Sequence, residues 1–369
     1  MHLYLHVPFC QRRCSYCDFS IAVRKRIPAR EYVEAIVTEA AGIPETTVET
    51  IYLGGGTPSL LPPAAIQTLL RELTQKFRIP HSAFRIEITL ESNPEDVTPD
   101  AAKAWHTAGV NRVSLGAQSF DDNVLKWMHR SHDAARIGAA VHALRGAGIE
   151  NISLDLIFAL PDELKRDWER DLEMALALRP KHLSLYGLTV EPRTPLDRWI
   201  SRGATHAPDE ERYAEEYLFA HERLSVFGYQ FYEVSNASLP GFRSQHNSAY
   251  WSGRPYVGLG PAAHSFDGTT RRWNLRAWEA YRRAVAEGRS AVESEERLTE
   301  DQRDLEAMYL GLRTVEGFAF AALRRPSPPP HLAAQGWIVE HDGRLKCTPE
   351  GWLRLDSIVN EISHDRAAH

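Results

Sequence analysis

Apolar and polar positions along this chain alternate between two rhythms. Short, nearly continuous apolar runs recur at LYLHVPF (3–9), TIYLGG (50–55), IEITLES (86–92), RVSLGAQ (112–118), NISLDLIFAL (151–160) and HLSLYGL (182–188). Between them lie amphipathic stretches at 30–42, 63–77, 100–108, 133–147 and 164–178. The first rhythm predicts strands buried on both faces, and the second predicts helices. Their repeated order implies an α/β fold, a parallel sheet covered by helices. Six such units fit an incomplete (β/α)6 barrel better than an eightfold one, because the alternation fades after HLSLYGL (182–188). A helix (209–227) and a strand, YQFYEVS (229–235), are predicted to finish this region, residues 1–240. The Gly/Pro-rich SGRPYVGLGP (252–261) then breaks the pattern, so 241–295 reads as a connecting segment.

The remainder, 296–369, reads differently. LTEDQRDLEAMYLGLRTV predicts a helix, PSPPP (326–330) a turn or linker, and 349–362 a final helix. WIVEHDGRLKCT predicts a hairpin turning at Asp342-Gly343. Helices flanking a hairpin predict a small winged-helix-like module. Such modules often bind DNA, but this one carries 9 Lys+Arg against 12 Asp+Glu. Packing or docking of a protein partner is therefore expected, and no nucleic acid.

Composition narrows the picture further. The net charge of −6 argues against a general nucleic-acid binder. No apolar run is long enough for a transmembrane helix, so no integral membrane protein is expected. MHLYLHVPFC has no basic segment followed by a long apolar stretch, so no signal peptide is expected either. Four cysteines in 369 residues make no disulfide framework. Together these features predict a cytoplasmic protein with reduced thiols.

Three of the four cysteines, Cys10, Cys14 and Cys17, fall in CQRRCSYCDFS with spacing C-x3-C-x2-C, directly after the first strand. That loop belongs at the C-terminal rim of a β/α barrel, where such folds place their chemistry. Three thiolates can hold three irons of a cubane cluster and leave the fourth open to a ligand. Structural zinc is the competing reading, but it wants a fourth ligand and usually paired C-x2-C units. GGGTP (54–58) follows the second strand, and its glycines allow close backbone approach to a ligand. A phosphate loop is disfavoured there, since the lysine and Ser/Thr of G-x4-G-K-[ST] are missing. Glu91, Gln118 and Asp155 come from strands three, four and five and would converge on the same rim. Asp155 sits within ISLDLIFAL, where an ionised group is costly without partners.

The cysteine motif, with Tyr16 before its last cysteine, resembles the signature of the radical S-adenosylmethionine (SAM) superfamily. LYLHVPFCQRRCSYCDF, YLGGGTPSLL, ESNPE, SLGAQSF, LDLIFALP, LYGLTVEPRTPL and HNSAYW also follow the order seen in oxygen-independent coproporphyrinogen oxidase-like proteins. Within that group the chain resembles the haem-chaperone branch, HemW. The resemblance implies a [4Fe–4S] cluster on Cys10, Cys14 and Cys17. It also implies SAM bound by Tyr4, Gly55, Gly56, Thr57, Glu91, Gln118, Arg130, Asp155 and Gly187. Haem is implied as cargo, with His246, Asn247, Tyr250 and Trp251 of HNSAYW as its candidate site. In a helical turn His246 pairs with Tyr250, and Asn247 with Trp251; a polar cluster tying the barrel to the C-terminal module is the competing reading. The implied partners are haem-accepting proteins, among them membrane-bound respiratory components, and an electron donor. The oxidase pattern has a further cysteine where this chain has Phe19, and an N-terminal extension where this chain reaches its first strand by residue 3. Both differences favour the chaperone over the oxidase. A non-catalytic iron–sulfur docking protein is the third reading.

Overall fold

A computed structural model describes residues 1–78, 86–322 and 329–364. The six predicted apolar runs form β1 (His2–Val7), β2 (Thr50–Gly55), β3 (Glu87–Ser92), β4 (Arg112–Gln118), β5 (Asn151–Phe158) and β6 (His182–Gly187). They lie side by side in chain order, and every neighbouring pair is parallel. Leu3, Leu5, Leu53, Leu90, Val113, Leu154 and Leu183 are fully buried, which is why these strands read as apolar runs rather than alternating ones.

The covering helices are α1 (Ala29–Ala41), α2 (Pro63–Lys76), α3 (Pro99–Thr107), α4 (Ala134–Gly146), α5 (Trp168–Ala177) and α6 (Glu210–Val226). Their starts are set locally. Thr98, Asp133, Asp167 and Asp209 each accept a backbone N–H of the first turn of α3, α4, α5 and α6. Apolar faces such as Ile66, Leu69, Leu70 and Leu73 of α2 then pack on the sheet.

The predicted strand YQFYEVS is present as β7 (Gln230–Glu233), but the sheet is larger than the sequence predicts. It also holds β8 (Asn236–Ser238), which pairs antiparallel with both β6 and β7. The 241–295 stretch is more than a connection. It supplies α7 (Gln245–Trp251), then β9 (Tyr256–Leu259), β10 (His264–Phe266), β11 (Thr270–Asn274) and β12 (Val292–Arg297). β9 lies parallel against β1, with Leu3 opposite Val257, and β10 to β12 follow antiparallel. The glycines that disguise β9 have packing reasons: a side chain on Gly258 would meet the His264 backbone at 2.1 Å. The result is one open sheet of twelve strands among the described residues.

The C-terminal module holds α8 (Glu300–Leu312) and a small antiparallel sheet of β13 (Phe318–Ala319), β14 (Ile338–His341) and β15 (Arg344–Cys347). The predicted hairpin is present, with Asp342 and Gly343 both in the left-handed region. The single predicted last helix is two pieces, Pro349–Trp352 and Leu355–His364. Most of PSPPP lies outside the described residues. The module is fastened to the barrel edge. Arg313 pairs with fully buried Glu233 at 2.9 Å, and its guanidinium lies 4.4 Å from the Trp251 ring. Among the described residues no helix is long and apolar enough to cross a membrane.

Candidate functional site

Because β1 to β6 run parallel, their C-terminal ends share one rim, and the loop holding the cysteines leaves from β1 there. Phe9–Cys10 pairs in parallel with Ala22–Val23, closing the base of the loop. Ser15 donates its N–H to the Met128 carbonyl, and its own carbonyl accepts from Leu196. Tyr16 packs against the apolar cluster of Val124, Met128, Ile157, Leu160, Leu188 and Leu196. An aromatic just before the last cysteine thus anchors the loop to the barrel wall.

A cavity of about 360 Å³ opens beneath this loop. Cys10, Cys14 and Cys17 line it together with Gly55, Gly56, Thr57, Glu91, Gln118, Arg130, Asp155 and Gly187. The Thr57 hydroxyl donates to Cys10 Sγ at 3.4 Å, and Arg130 Nη1 approaches Cys14 Sγ at 3.6 Å. Gly55 has φ +110°, and a side chain on Gly56 would meet the Phe9 carbonyl at 2.8 Å and Cys10 Sγ at 3.0 Å. The glycine run therefore lets strand β2 lie directly against the cysteine loop.

The polar groups of the cavity are held by short contacts. Glu91 accepts from the Tyr52 hydroxyl at 2.8 Å and the Gly55 N–H at 3.0 Å. It reaches the cavity from deep in the barrel, and burial pushes its carboxyl up to about 7, with Asp155 adding to the rise. Asp155 has the partners its apolar setting demands: Ser114 Oγ lies 3.0 Å from both carboxylate oxygens, and Ser153 Oγ lies 3.1 Å from one. Burial still raises its pKa. Gln118 ends β4 at φ +68°, where the ladder to β5 shifts register. Arg130 donates to Asn93 Oδ1 at 2.6 Å and to the Gly116 carbonyl at 2.9 Å, while its buried Nε has no partner among the described residues.

One expected site residue lies outside the cysteine cavity. Tyr4 does not line the cysteine cavity. It points into adjoining side cavities with His6, stacks on Tyr52 and meets His6 Nδ1 at 3.1 Å. Gly187 does line the cavity, and a side chain there would meet the Tyr213 ring at 2.1 Å. HNSAYW forms α7, as its spacing predicts, yet it lies at the opposite end of the barrel from the cysteines, beside Thr50 at the start of β2. His246 is 1% exposed, and both ring nitrogens are engaged, by Thr50 Oγ1 at 2.7 Å and the Tyr250 hydroxyl at 3.0 Å. Asn247 donates its N–H to the Ser244 cap, and Trp251 carries Arg313. Trp251 ties the barrel to the C-terminal module, while Tyr250 and Trp251 also line a cavity beside β9. Direct haem ligation by His246 does not fit this environment.

Sequence reasoning passed over other cavity residues: Asp96, Tyr186, Thr189 and Glu191. Tyr186 and Glu191 lie in LYGLTVEPRTPL, so the motif itself was the signal. Asp96 accepts from Ser59 at 2.7 Å, and burial pushes its carboxyl up to about 6. Asn93, the partner of Arg130, also lines the cavity and lies in ESNPE.

The donor set fits an iron–sulfur cluster. Burial pushes the Cys10 and Cys17 thiols up, the latter to about 11, and Cys14 raises both further. Binding iron would therefore release protons. Among the described residues no three His, Cys, Asp or Glu side chains converge on one metal ion. A cubane asks instead for one thiolate at each of three separate irons.

Comparison with known proteins gives the family. Residues 4–175 match the radical SAM superfamily. The "Heme chaperone HemW" of Mycobacterium tuberculosis is 36% identical over 98% of this chain and 94% of its own length. Its namesake in Synechocystis sp. is 38% identical over 87% of this chain and 79% of its own length. The solved structure of the radical SAM coproporphyrinogen III oxidase from Escherichia coli superposes with a TM-score of 0.80 at 23% identity, over 98% of this chain and 89% of that one. That likeness establishes the shared partial-barrel fold. With the cysteine loop, the glycine run and the polar rim in one cavity and relatedness along nearly the whole length, this chain belongs to the HemW family of the radical SAM superfamily.

Proposed function

We propose that this protein is a cytoplasmic haem chaperone that holds a [4Fe–4S] cluster on Cys10, Cys14 and Cys17, binds SAM beside it and hands haem to acceptor proteins. The observation that carries the reading is full-length relatedness, 36% over 98% of this chain, to proteins named for that role. Phe19 supports it: this exposed side chain lines the mouth of the cavity where the oxidase pattern has a cysteine. A cluster held by Cys10, Cys14 and Cys17 would supply one-electron chemistry toward the SAM sulfonium. The chain's own residues bind and orient. Carbonyls of the Gly55–Thr57 turn, with Glu91, suit the SAM ammonium group, and Asp155 suits a ribose hydroxyl. Arg130, whose Nε is unpartnered, suits the SAM carboxylate. Membrane-bound respiratory proteins as acceptors, and a separate electron donor, belong to the same proposal.

The deciding experiment is a haem titration combined with a product assay on anaerobically reconstituted protein. Stoichiometric haem retention without decarboxylated porphyrinogen is expected. Formation of that product would replace the chaperone with the oxidase.

Glu91 makes a second test. With its carboxyl near 7, the free protein holds the proton below that value, whereas a cationic ligand favours the ionised form. SAM affinity of cluster-loaded protein should therefore rise as pH increases through about 7, with proton release on binding below it. Calorimetry in buffers of different ionisation enthalpy reads both effects. Glu91→Gln should flatten the dependence, and an unchanged pH profile in that variant would remove Glu91 from the SAM site.

A further inference from the structure

A haem carrier needs a flat apolar surface, an iron ligand and cations for two propionates, and His246 supplies none of these from its buried position. A second cavity, of about 780 Å³, lies between the β9–β11 flank of the sheet and α8 of the C-terminal module. That volume is within the usual range for small-molecule sites, roughly 300–1,000 Å³. Tyr250, Tyr256 and Phe266 form one wall, each half-buried. Tyr250 meets Tyr256 edge to face at 4.6 Å, and the Tyr256 and Phe266 centroids are 6.4 Å apart. These rings present apolar area to the cleft that no protein segment described here covers.

The polar groups are as specific. His264 projects from β10, exposed and stacked on Trp273 at 5.9 Å, and neither ring nitrogen has a hydrogen-bond partner among the described residues. Partial burial lowers its pKa, and Arg271 and Arg276 lower it further, which favours the neutral imidazole that can ligate iron. Arg303 of α8 lines the cleft without a carboxylate partner among the described residues. Arg271, ion-paired to Glu306, lies 5.7 Å above the Phe266 ring.

We propose that this cleft is where haem binds, with His264 as the axial iron ligand, the aromatic wall against the porphyrin face and Arg303 and Arg271 toward the propionates. The inference rests on the haem-carrier reading and supplies its cargo site. An imidazole with free nitrogens is the ordinary protein ligand for haem iron, and arginine is the ordinary partner of a carboxylate. The cleft also adjoins the cofactor cavity. Tyr4 and His6 line both the cleft and a side cavity, and Gly55 and Glu91 line that side cavity and the cysteine cavity. Cargo and cofactor would thus be separated by one layer of side chains.

The test titrates ferric haem into the cluster-loaded full chain and follows the absorbance. His264→Ala should weaken binding by at least about tenfold, the lower limit for losing even an outer-shell partner at a metal site, and should shift the Soret band. His264→Met should restore binding with a different spectrum, which a merely structural histidine would not do. Arg303→Glu should weaken binding of haem but not of its dimethyl ester. Far-ultraviolet circular dichroism confirms that these exposed-residue variants are folded. If the parent binds haem and His264→Ala matches it in affinity and spectrum, this assignment is overturned while the chaperone reading stands. If Arg303→Glu weakens haem and ester equally, the propionate placement is overturned. If the parent binds no haem, the chaperone reading itself falls.

Discussion

Cys14→Ser is expected to abolish cluster loading, while Cys347→Ser leaves the iron content of reconstituted protein unchanged. The first substitution removes one of three thiols on a single loop, and the remaining two cannot anchor a cubane that has no other cysteine within the cavity. Cys347 ends β15 in the C-terminal module, buried opposite Ile338, and burial pushes its thiol up to about 12. It is a packing residue, chemically reluctant to ionise. Iron and sulfide analysis with the visible spectrum checks both variants. Equal iron loss in the two would mean that the cluster draws on the C-terminal module, and the three-cysteine assignment would fail.

How much of this was legible in the sequence depended on whether a signal was local. Strands β1 to β6 are buried on both faces, so each announces itself as an apolar run, and the cysteine spacing is a property of one loop. Glu91, Gln118 and Asp155 were readable because successive parallel strands must end on one rim. β9 was not readable. Gly258 within it, forced by the His264 backbone, and the flanking Gly253 and Gly260 imitate a break, and its partner β1 lies some 250 residues away in sequence. The same long-range pairing hid the cleft beside β10, since His264, Phe266 and Arg303 form no motif. Tyr4 sits beside the cysteine cavity rather than in it for a simpler reason: strand periodicity gives the face of a side chain, but not its height along the barrel. HNSAYW was legible as a helix but not in its surroundings. The helix and its His246–Tyr250 pair are present, but the carboxylate that positions them is Glu87 of β3, distant in sequence, which accepts the N–H groups of both Gln245 and His246.

That last arrangement gives the other large expected effect. His246→Ala should destabilise the fold by about 2–4 kcal/mol, the sum of a small buried cavity and hydrogen-bonding groups left without their partner. The ring is stacked on Tyr52 at 5.0 Å and bridges Thr50 to Tyr250, so its loss loosens α7 from β2. Chemical denaturation should show the lower midpoint. The haem spectrum of the folded variant should match the parent's. The pH dependence gives a sharper readout. Burial first, then His2 and Arg112, lowers the His246 pKa from 6.5 to about 3, so the unfolded chain binds a proton here that the native fold refuses. Its contribution is complete above pH 6.5 and is lost as pH falls toward about 3. The parent should weaken across that window, and His246→Ala should weaken less steeply; His2 and His221, lowered to about 4 and about 3, account for part of the remaining slope. An alanine variant as stable as the parent, with a changed haem spectrum, would return the histidine to the cargo site and displace His264 from it.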